Sequence, residues 1–116
     1  MIRRKEECVT EYREKMRGGE GTARVTPFIK GPEELNNKGR LFSRISLDPG
    51  SSIGYHVHEA DSELFYFLTG KGEYSDNGTV YEVEAGDVAI CETGHGHGVT
   101  NTGENVLEMI AVIVYA

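Results

Sequence analysis

Three of the four histidines and one glutamate form a pattern with the composition of a metal site. His56 and His58 are separated by one residue, Glu63 follows after four more, and His97 lies further along the chain. Three neutral imidazoles and one carboxylate suit divalent transition metals, whereas calcium and magnesium prefer sites built from oxygen alone. The residue types therefore predict one divalent transition metal ion, either manganese, iron, nickel, zinc, cobalt or copper.

The spacing of these residues fits β-strands. Residues i and i+2 of a strand point to the same side, so His56 and His58 would share a face. A strand beginning at Glu63 would carry Phe65 on the same face as the carboxylate, as expected for the inside of a barrel. We expect a hairpin to bring Glu63 beside the two histidines and a neighbouring strand to supply His97. A hydrogen-bonded polar cluster without metal is the alternative.

The rest of the chain predicts an all-β domain. A length of 116 residues fits one domain, and fifteen glycines separate short apolar runs. About eight to ten short strands follow one another at even spacing, including a hairpin at Asn77-Gly78, which is typical of a sandwich or barrel. We assign residues 21–116 to this domain. Residues 1–20 are predicted to form an N-terminal arm, with either a short helix over residues 6–17 or an extended conformation.

The charge balance limits the partners. Nineteen acidic residues against twelve Lys and Arg argue against nucleic acid or an anionic membrane surface. No apolar run approaches the ~20 residues of a membrane span. The basic N-terminus lacks a following hydrophobic segment, and Cys8 and Cys91 form no pair, so a cytoplasmic location is expected.

One predicted strand is apolar on both faces. Residues 64–68 read Leu-Phe-Tyr-Phe-Leu, and residues 110–114 have a similar two-sided character. Such strands are buried on both sides. Either the N-terminal arm or a loop covers the outer face, or a second subunit does. We favour the second subunit and predict a homodimer.

The metal-binding residues belong to two longer motifs. The first runs Gly50, five residues, His56-Val57-His58, four residues, Glu63, six residues, Gly70. The second runs Gly86, five residues, Glu92-Thr93-Gly94, two residues, His97, three residues, Asn101. These motifs resemble those of the cupin superfamily, and in particular its small single-domain members. Glu92 stands where the family has proline, which affects a turn rather than a ligand. The resemblance implies a jelly-roll β-barrel, frequent dimerisation, and metal bound by His56, His58, Glu63 and His97.

Family resemblance does not name a reaction, because one fold serves many activities. The first hypothesis is a metalloenzyme acting on a small polar or anionic metabolite, of dioxygenase, decarboxylase or isomerase type. Its candidate catalytic residues are Tyr55, beside His56, and His95, two residues before His97. The alternative is a non-catalytic module that binds or senses a small molecule, and a third reading is a purely structural barrel.

Several other side chains are less informative. Tyr66, Tyr74, Tyr81 and Cys91 are expected to be packing residues. The small cupins that this chain resembles are similar to halves of oxalate decarboxylases, which commonly carry an arginine three residues before the first histidine. This chain has Ile53 there, which counts against that activity. Arg44 could supply that charge only if its side chain faced inward.

Overall fold

The computed structural model describes all 116 residues and consists of strands joined by turns. There are ten strands: β1 (Glu11–Glu14), β2 (Thr22–Pro27), β3 (Gly39–Leu47), β4 (Ser52–Val57), β5 (Asp61–Thr69), β6 (Lys71–Asp76), β7 (Thr79–Glu84), β8 (Val88–Cys91), β9 (Gly96–Thr100) and β10 (Leu107–Tyr115). Three short 3₁₀ turns occupy Lys5–Glu7, Met16–Gly18 and Pro32–Leu35. The structure contains no helix with the length and apolar composition that crossing a membrane requires.

The strands form two antiparallel sheets that enclose the core. Sheet A has the order β1-β2-β3-β10-β5-β8, and sheet B has the order β4-β9-β6-β7. Chain segments alternate between the two sheets, so strands that are distant in sequence pair with each other. This arrangement confirms the predicted jelly roll.

The β6–β7 hairpin forms at the predicted position. Its two-residue connection is Asn77-Gly78, and both residues have positive φ, 49° and 96°. Two positive φ angles in succession define the type I′ turn, whose twist matches that of the flanking strands. Local sequence therefore determines this connection.

The core lies between the inner faces of the sheets and follows the alternation of the strands. In β3, Ser43, Ile45 and Leu47 are buried, whereas Phe42 and Arg44 face outward. The other fully buried apolar side chains come from both sheets, and include Val25, Phe67, Val99, Leu107 and Met109. The same inward face that carries this apolar core also carries the polar site.

Of the two conformations predicted for the N-terminal arm, the structure has the extended one and no α-helix over residues 6–17. β1 pairs antiparallel with β2, from Glu11 opposite Val25 to Glu14 opposite Thr22. The stretch is mostly charged, so it offered little apolar periodicity to stabilise a helix against a core. The following 3₁₀ turn, Met16–Gly18, then crosses to β4 in the other sheet.

The outer face of sheet A carries a patch of partly exposed apolar side chains. Neighbouring strands place Phe42, Val112, Leu64 and Ile90 side by side in register. Ile90 is 54% exposed. β1 of the arm lies on the far edge of this sheet, and β2 separates it from these residues.

Candidate metal centre

Sheet pairing brings the predicted ligands together. His56 of β4 lies directly opposite His97 of β9 in sheet B, and His58 follows immediately after β4. Glu63 belongs to β5 of sheet A, so it reaches the histidines across the core. The expected hairpin between the histidines and Glu63 is wrong, because β4 and β5 are in different sheets.

The distances between the ligand atoms fit one metal ion. His58 Nε2 lies 3.1 Å from both Glu63 Oε1 and His97 Nε2, and His97 Nε2 lies 2.9 Å from Glu63 Oε1. Adjacent ligands of an octahedron with bonds of about 2.1 Å are about 3.0 Å apart, against about 3.4 Å in a tetrahedron. With His56, all four ligand atoms lie within 4.8 Å of one another. The four residues could therefore hold one metal ion, and the spacing of His58, Glu63 and His97 is that of neighbouring ligands in a six-coordinate site.

Each histidine has a hydrogen-bond partner for the nitrogen that faces away from the centre. The Nδ1–H group of His56 donates to the Gly54 carbonyl oxygen at 2.7 Å, and that of His58 donates to Asp61 Oδ1 at 2.6 Å. His97 Nδ1 lies 2.9 Å from the Tyr74 hydroxyl. These contacts fix the ring orientations and leave the Nε2 atoms as the metal-binding nitrogens.

The charge state of the site follows from these contacts. Burial acts to raise the pKa of Glu63, but hydrogen bonds from His58 and His97 outweigh it and lower the pKa to about 2. Burial lowers the pKa of His56, and the charges of His97 and Arg17 act in the same direction. Metal binds the ionised carboxylate and neutral imidazoles, so a bound ion would displace the Nε2 protons that His58 and His97 donate to Glu63.

Asp61 connects the site to an arginine. Its Oδ2 accepts from Arg40 Nε at 2.9 Å while its Oδ1 accepts from His58. Burial alone would raise the pKa of Asp61, but the hydrogen bonds from His58 and Arg40 lower it. The hydrogen bond to Glu63 is the largest cause of the raised pKa of His58, and Asp61 adds to it. Asp61 therefore remains a carboxylate that orients His58.

A small cavity adjoins three of the ligands. Its volume is about 50 Å³, and a single water needs about 10–15 Å³, so about four waters would fill it. Twelve residues line it: His56, His58 and Glu63; the arginines Arg13, Arg17 and Arg40; and the apolar residues Met16, Leu41, Ile45, Ile53, Phe65 and Ile113. The cavity is thus cationic and apolar, and apart from the ligands it offers no proton donor with an ordinary pKa near neutrality.

The proposed catalytic residues do not join this cluster. Tyr55 is 52% exposed, lies on the opposite side of β4 from His56, and packs against the backbone of Gly96. His95 is half-buried, and its carbonyl oxygen accepts from the His58 amide at 3.0 Å. Neither residue lines the cavity, so their catalytic roles stay predictions.

The structure also shows where three other residues discussed from the sequence lie, namely Arg44, Cys91 and Glu92. Arg44 faces outward, 3.9 Å from Glu108, and cannot replace the missing arginine. Cys91 is buried, its thiol donates to the His95 carbonyl, and burial raises its pKa to about 11, as expected for a packing residue. Glu92 is exposed in the turn before β9, where it does not disturb the ligand geometry.

Sequence reasoning missed several residues of the site. Asp61 lay in a predicted loop, and the only sign of its role was a carboxylate three residues after His58. Tyr74 was expected to be a packing residue, but it also contacts His97, and burial raises its pKa so that the phenol stays protonated. Arg13 and Arg17 had no recognisable pattern, because they reach the cavity from the arm.

Two sequence comparisons find a protein family and a relative that are similar to this chain. The sequence model of the cupin domain family matches residues 43–113. The chain is 41% identical to an oxalate-binding protein of Thermotoga maritima, over 98% of this chain and 93% of that protein.

Two solved structures are similar to this chain in fold. One is described as a predicted oxalate decarboxylase from Thermotoga maritima; it is 40% identical with a TM-score of 0.95, and all of both chains is covered. A Thermus thermophilus protein is 19% identical with a TM-score of 0.73, over 98% of this chain and 96% of that one, and shares the fold.

Proposed function

The chain belongs to the cupin family, and from this premise we propose that it binds a divalent transition metal and, on that metal, a small dicarboxylate such as oxalate. One observation supports the proposal above all. Four ligand atoms within 4.8 Å of one another adjoin a small cavity that three arginines line. A bound divalent ion would supply Lewis acidity toward carboxylate oxygens.

The cavity favours a small anion over other ligands. Its volume of about 50 Å³ favours a ligand of a few heavy atoms over one the size of a sugar phosphate. Guanidinium groups pair well with carboxylates, especially where apolar walls reduce competition from water. The molecule as a whole has a formal net charge of −7, so a small anion is expected to favour the arginines of this cavity over the acidic side chains elsewhere. Size and charge together therefore select small carboxylates.

The relatives point to the same class of ligand. The Thermotoga maritima protein at 41% identity is named for binding oxalate. Its similarity extends along nearly the whole chain, including residues 1–20, and not only the family segment. We therefore take oxalate as the first ligand to test.

Turnover of the dicarboxylate is the second candidate, because a similar Thermotoga maritima structure is described as a predicted oxalate decarboxylase. Decarboxylation of oxalate consumes one proton and yields formate and carbon dioxide. Because no side chain besides the ligands is placed in the cavity to supply that proton, water would have to supply it. This geometry favours binding over decarboxylation.

The experiment combines metal analysis with calorimetry on the purified full-length chain. We expect about one divalent transition metal ion per chain, oxalate binding by the metal-loaded protein, and none after chelation. Prolonged incubation with oxalate, followed by formate and oxygen measurements, separates binding from turnover. A metal-loaded protein that does not bind oxalate contradicts the proposal, and stoichiometric formate production would establish the decarboxylase instead.

The ligand set is tested with a pair of histidine variants. His97→Ala removes a fully buried ligand, and we expect most bound metal to be lost. His95→Ala changes a half-buried histidine two residues away that is not in the cluster, and should retain the metal. Equal metal content in both variants would refute the assignment of His97.

A further inference from the structure

An unusual turn in the N-terminal arm presents Arg17 to the metal cavity. Lys15 and Arg17 have φ angles of 48° and 55°, and Gly18 has a φ of 82°. Residues other than glycine adopt this left-handed conformation rarely, because Cβ then crowds the backbone. Such a conformation persists only where surrounding contacts enforce it, and it is frequent at ligand sites.

Contacts with β4 enforce the turn. A Cβ atom on Gly54 would collide with the carbonyl oxygen of Arg17, so only glycine permits the approach. Two hydrogen bonds also join Glu20 of the arm to Ser52 of β4. The Ser52 amide donates to the Glu20 carbonyl oxygen at 2.9 Å, and the Glu20 amide donates to Ser52 Oγ at 2.8 Å. The backbone of Arg17 is therefore fixed against the same strand that carries His56, and its exposed side chain is one of those that line the cavity.

Arg17 differs from the other two arginines of the cavity because it has no anionic partner. Arg40 is paired with Asp61 at 2.9 Å, and Arg13 lies 3.5 Å from Glu11. No carboxylate oxygen lies within 4.0 Å of the Arg17 guanidinium. In an acidic protein, an unpaired arginine beside a metal cavity is free to bind an anion.

We propose that Arg17 binds the carboxylate oxygens that the metal leaves free, and thereby selects ligands with two adjacent carboxylates over those with one. The inference rests on the proposed function and adds the residue that determines ligand charge. It also accounts for Ile53, which lines the same cavity where an arginine was expected. The cation comes from the arm and lies over β4 instead of being part of it.

The test compares oxalate with oxamate, in which an amide replaces one carboxylate, by calorimetry on the metal-loaded full chain. We expect Arg17→Gln to weaken oxalate binding about tenfold to a hundredfold, and oxamate binding by less than about threefold. Arg44→Gln removes an outward-facing arginine on β3 and should change neither affinity. Metal content should stay at the wild-type value in both variants, because neither arginine is a ligand.

Arg17→Lys keeps a positive charge and should bind oxalate more tightly than Arg17→Gln. Equal oxalate affinities in Arg17→Gln and Arg44→Gln would overturn the proposal. So would an equal loss of oxalate and oxamate binding in Arg17→Gln, or a lysine variant no better than the glutamine variant. Failure of the metal-loaded wild type to bind oxalate would instead refute the proposed function, and that result is visible before any variant is compared.

Discussion

The three histidine rings of the site depend on groups that do not themselves face the ion. Gly54, Asp61 and Tyr74 each hold the outer nitrogen of one ring. Such partners set ring orientation and raise the basicity of the ligand nitrogen. Of the three, only Asp61 is charged, and it is in turn held by Arg40. It is therefore the outer group whose replacement should affect metal affinity most.

We predict that Asp61→Asn weakens metal binding about tenfold to a hundredfold. The amide oxygen can still accept from His58, but the charge that favours the bond to His58 and the pairing with Arg40 is lost. Chelator competition measures the affinity. Glu59→Gln neutralises an exposed acidic residue in the same loop and serves as the matched control. Equal metal affinities for the two variants would show that Asp61 does not support the site.

At this scale the sequence predicted the ligands but not their supports. His56 lies on β4 and His58 directly follows that strand, so their shared side followed from strand spacing alone. Asp61 lies at the start of β5, after a turn whose direction depends on hydrogen bonds that spacing does not reveal. Tyr74 approaches His97 because β6 pairs with β9 in a particular register, and register between distant strands is a property of the whole sheet.

Most strands place one face in the core and the other toward solvent. This alternation determines how well each position tolerates substitution. In sheet B, Val99 of β9 is 2% exposed, whereas Val80 of β7 is 60% exposed. Because both residues are valine, replacing each by alanine compares the same loss of side chain at a buried and at an exposed position.

We predict that Val99→Ala lowers the free energy of unfolding by about 2–3 kcal/mol, from lost transfer energy and the cavity left behind. Val80→Ala should cost less than about 1 kcal/mol, mainly through strand propensity. Urea denaturation of both variants measures the difference. Similar losses in the two would mean that β9 is not packed against the core as described.

The N-terminal segment is attached by an ion pair with a defined pH dependence. Arg3 donates two hydrogen bonds to Glu34, at 2.9 and 2.8 Å. This bonding, with a further hydrogen bond from the Lys30 amide, lowers the pKa of Glu34 from 4.5 to about 2. A depressed carboxylate pKa stabilises the folded arrangement above pH 4.5, and the stabilisation is lost as pH falls toward 2.

We predict that Arg3→Gln raises the titration midpoint of Glu34 toward 4.5. The midpoint should stay below 4.5, because the hydrogen bond from the Lys30 amide remains. An NMR titration of the Glu34 carboxyl carbon measures both midpoints. Arg13→Gln, on the exposed pair with Glu11, should leave the Glu34 midpoint unchanged. An unchanged midpoint in Arg3→Gln would mean that Arg3 does not hold Glu34 in solution.

Most strands were predictable, because apolar alternation and turn residues mark them locally. β1 was the exception, since Glu11–Glu14 are all exposed and show no burial pattern. It exists because β2 offers an unpaired edge, which is a property of the folded sheet and not of the segment. The sheet assignment of β5 was missed for the same reason: hairpin formation was the local expectation, and the jelly-roll connection is a global one.

On the scale of the whole molecule, the apolar outer face of sheet A remains uncovered by the chain itself. Leu64, Ile90 and Val112 lie side by side on this face, flanked by Phe42. Contiguous exposed apolar patches on a folded domain mark interaction surfaces. Because the arm lies at the far edge of the sheet, we propose that a second copy of the chain covers this face.

We predict that Ile90→Lys converts a dimer to a monomer without loss of bound metal, because a charge cannot be buried there without a partner. Val80→Lys places the same charge on a similarly exposed strand position of sheet B and should remain dimeric. Light scattering after size exclusion measures the mass. A wild-type monomer, or a dimer that tolerates Ile90→Lys, would contradict the prediction.

The two parts of the proposed ligand site come from different stretches of the chain. All four metal ligands lie within residues 43–113, the segment that the family shares, whereas Arg13, Arg17 and Arg40 all precede it. We expect metal binding and ligand choice to be separable at Arg13 and Arg17, which contact neither the metal ligands nor Asp61: a change there should alter which anion is accepted while the ion remains bound. Divergence of new specificities from this barrel could then proceed through its N-terminal arm, at little risk to the metal centre.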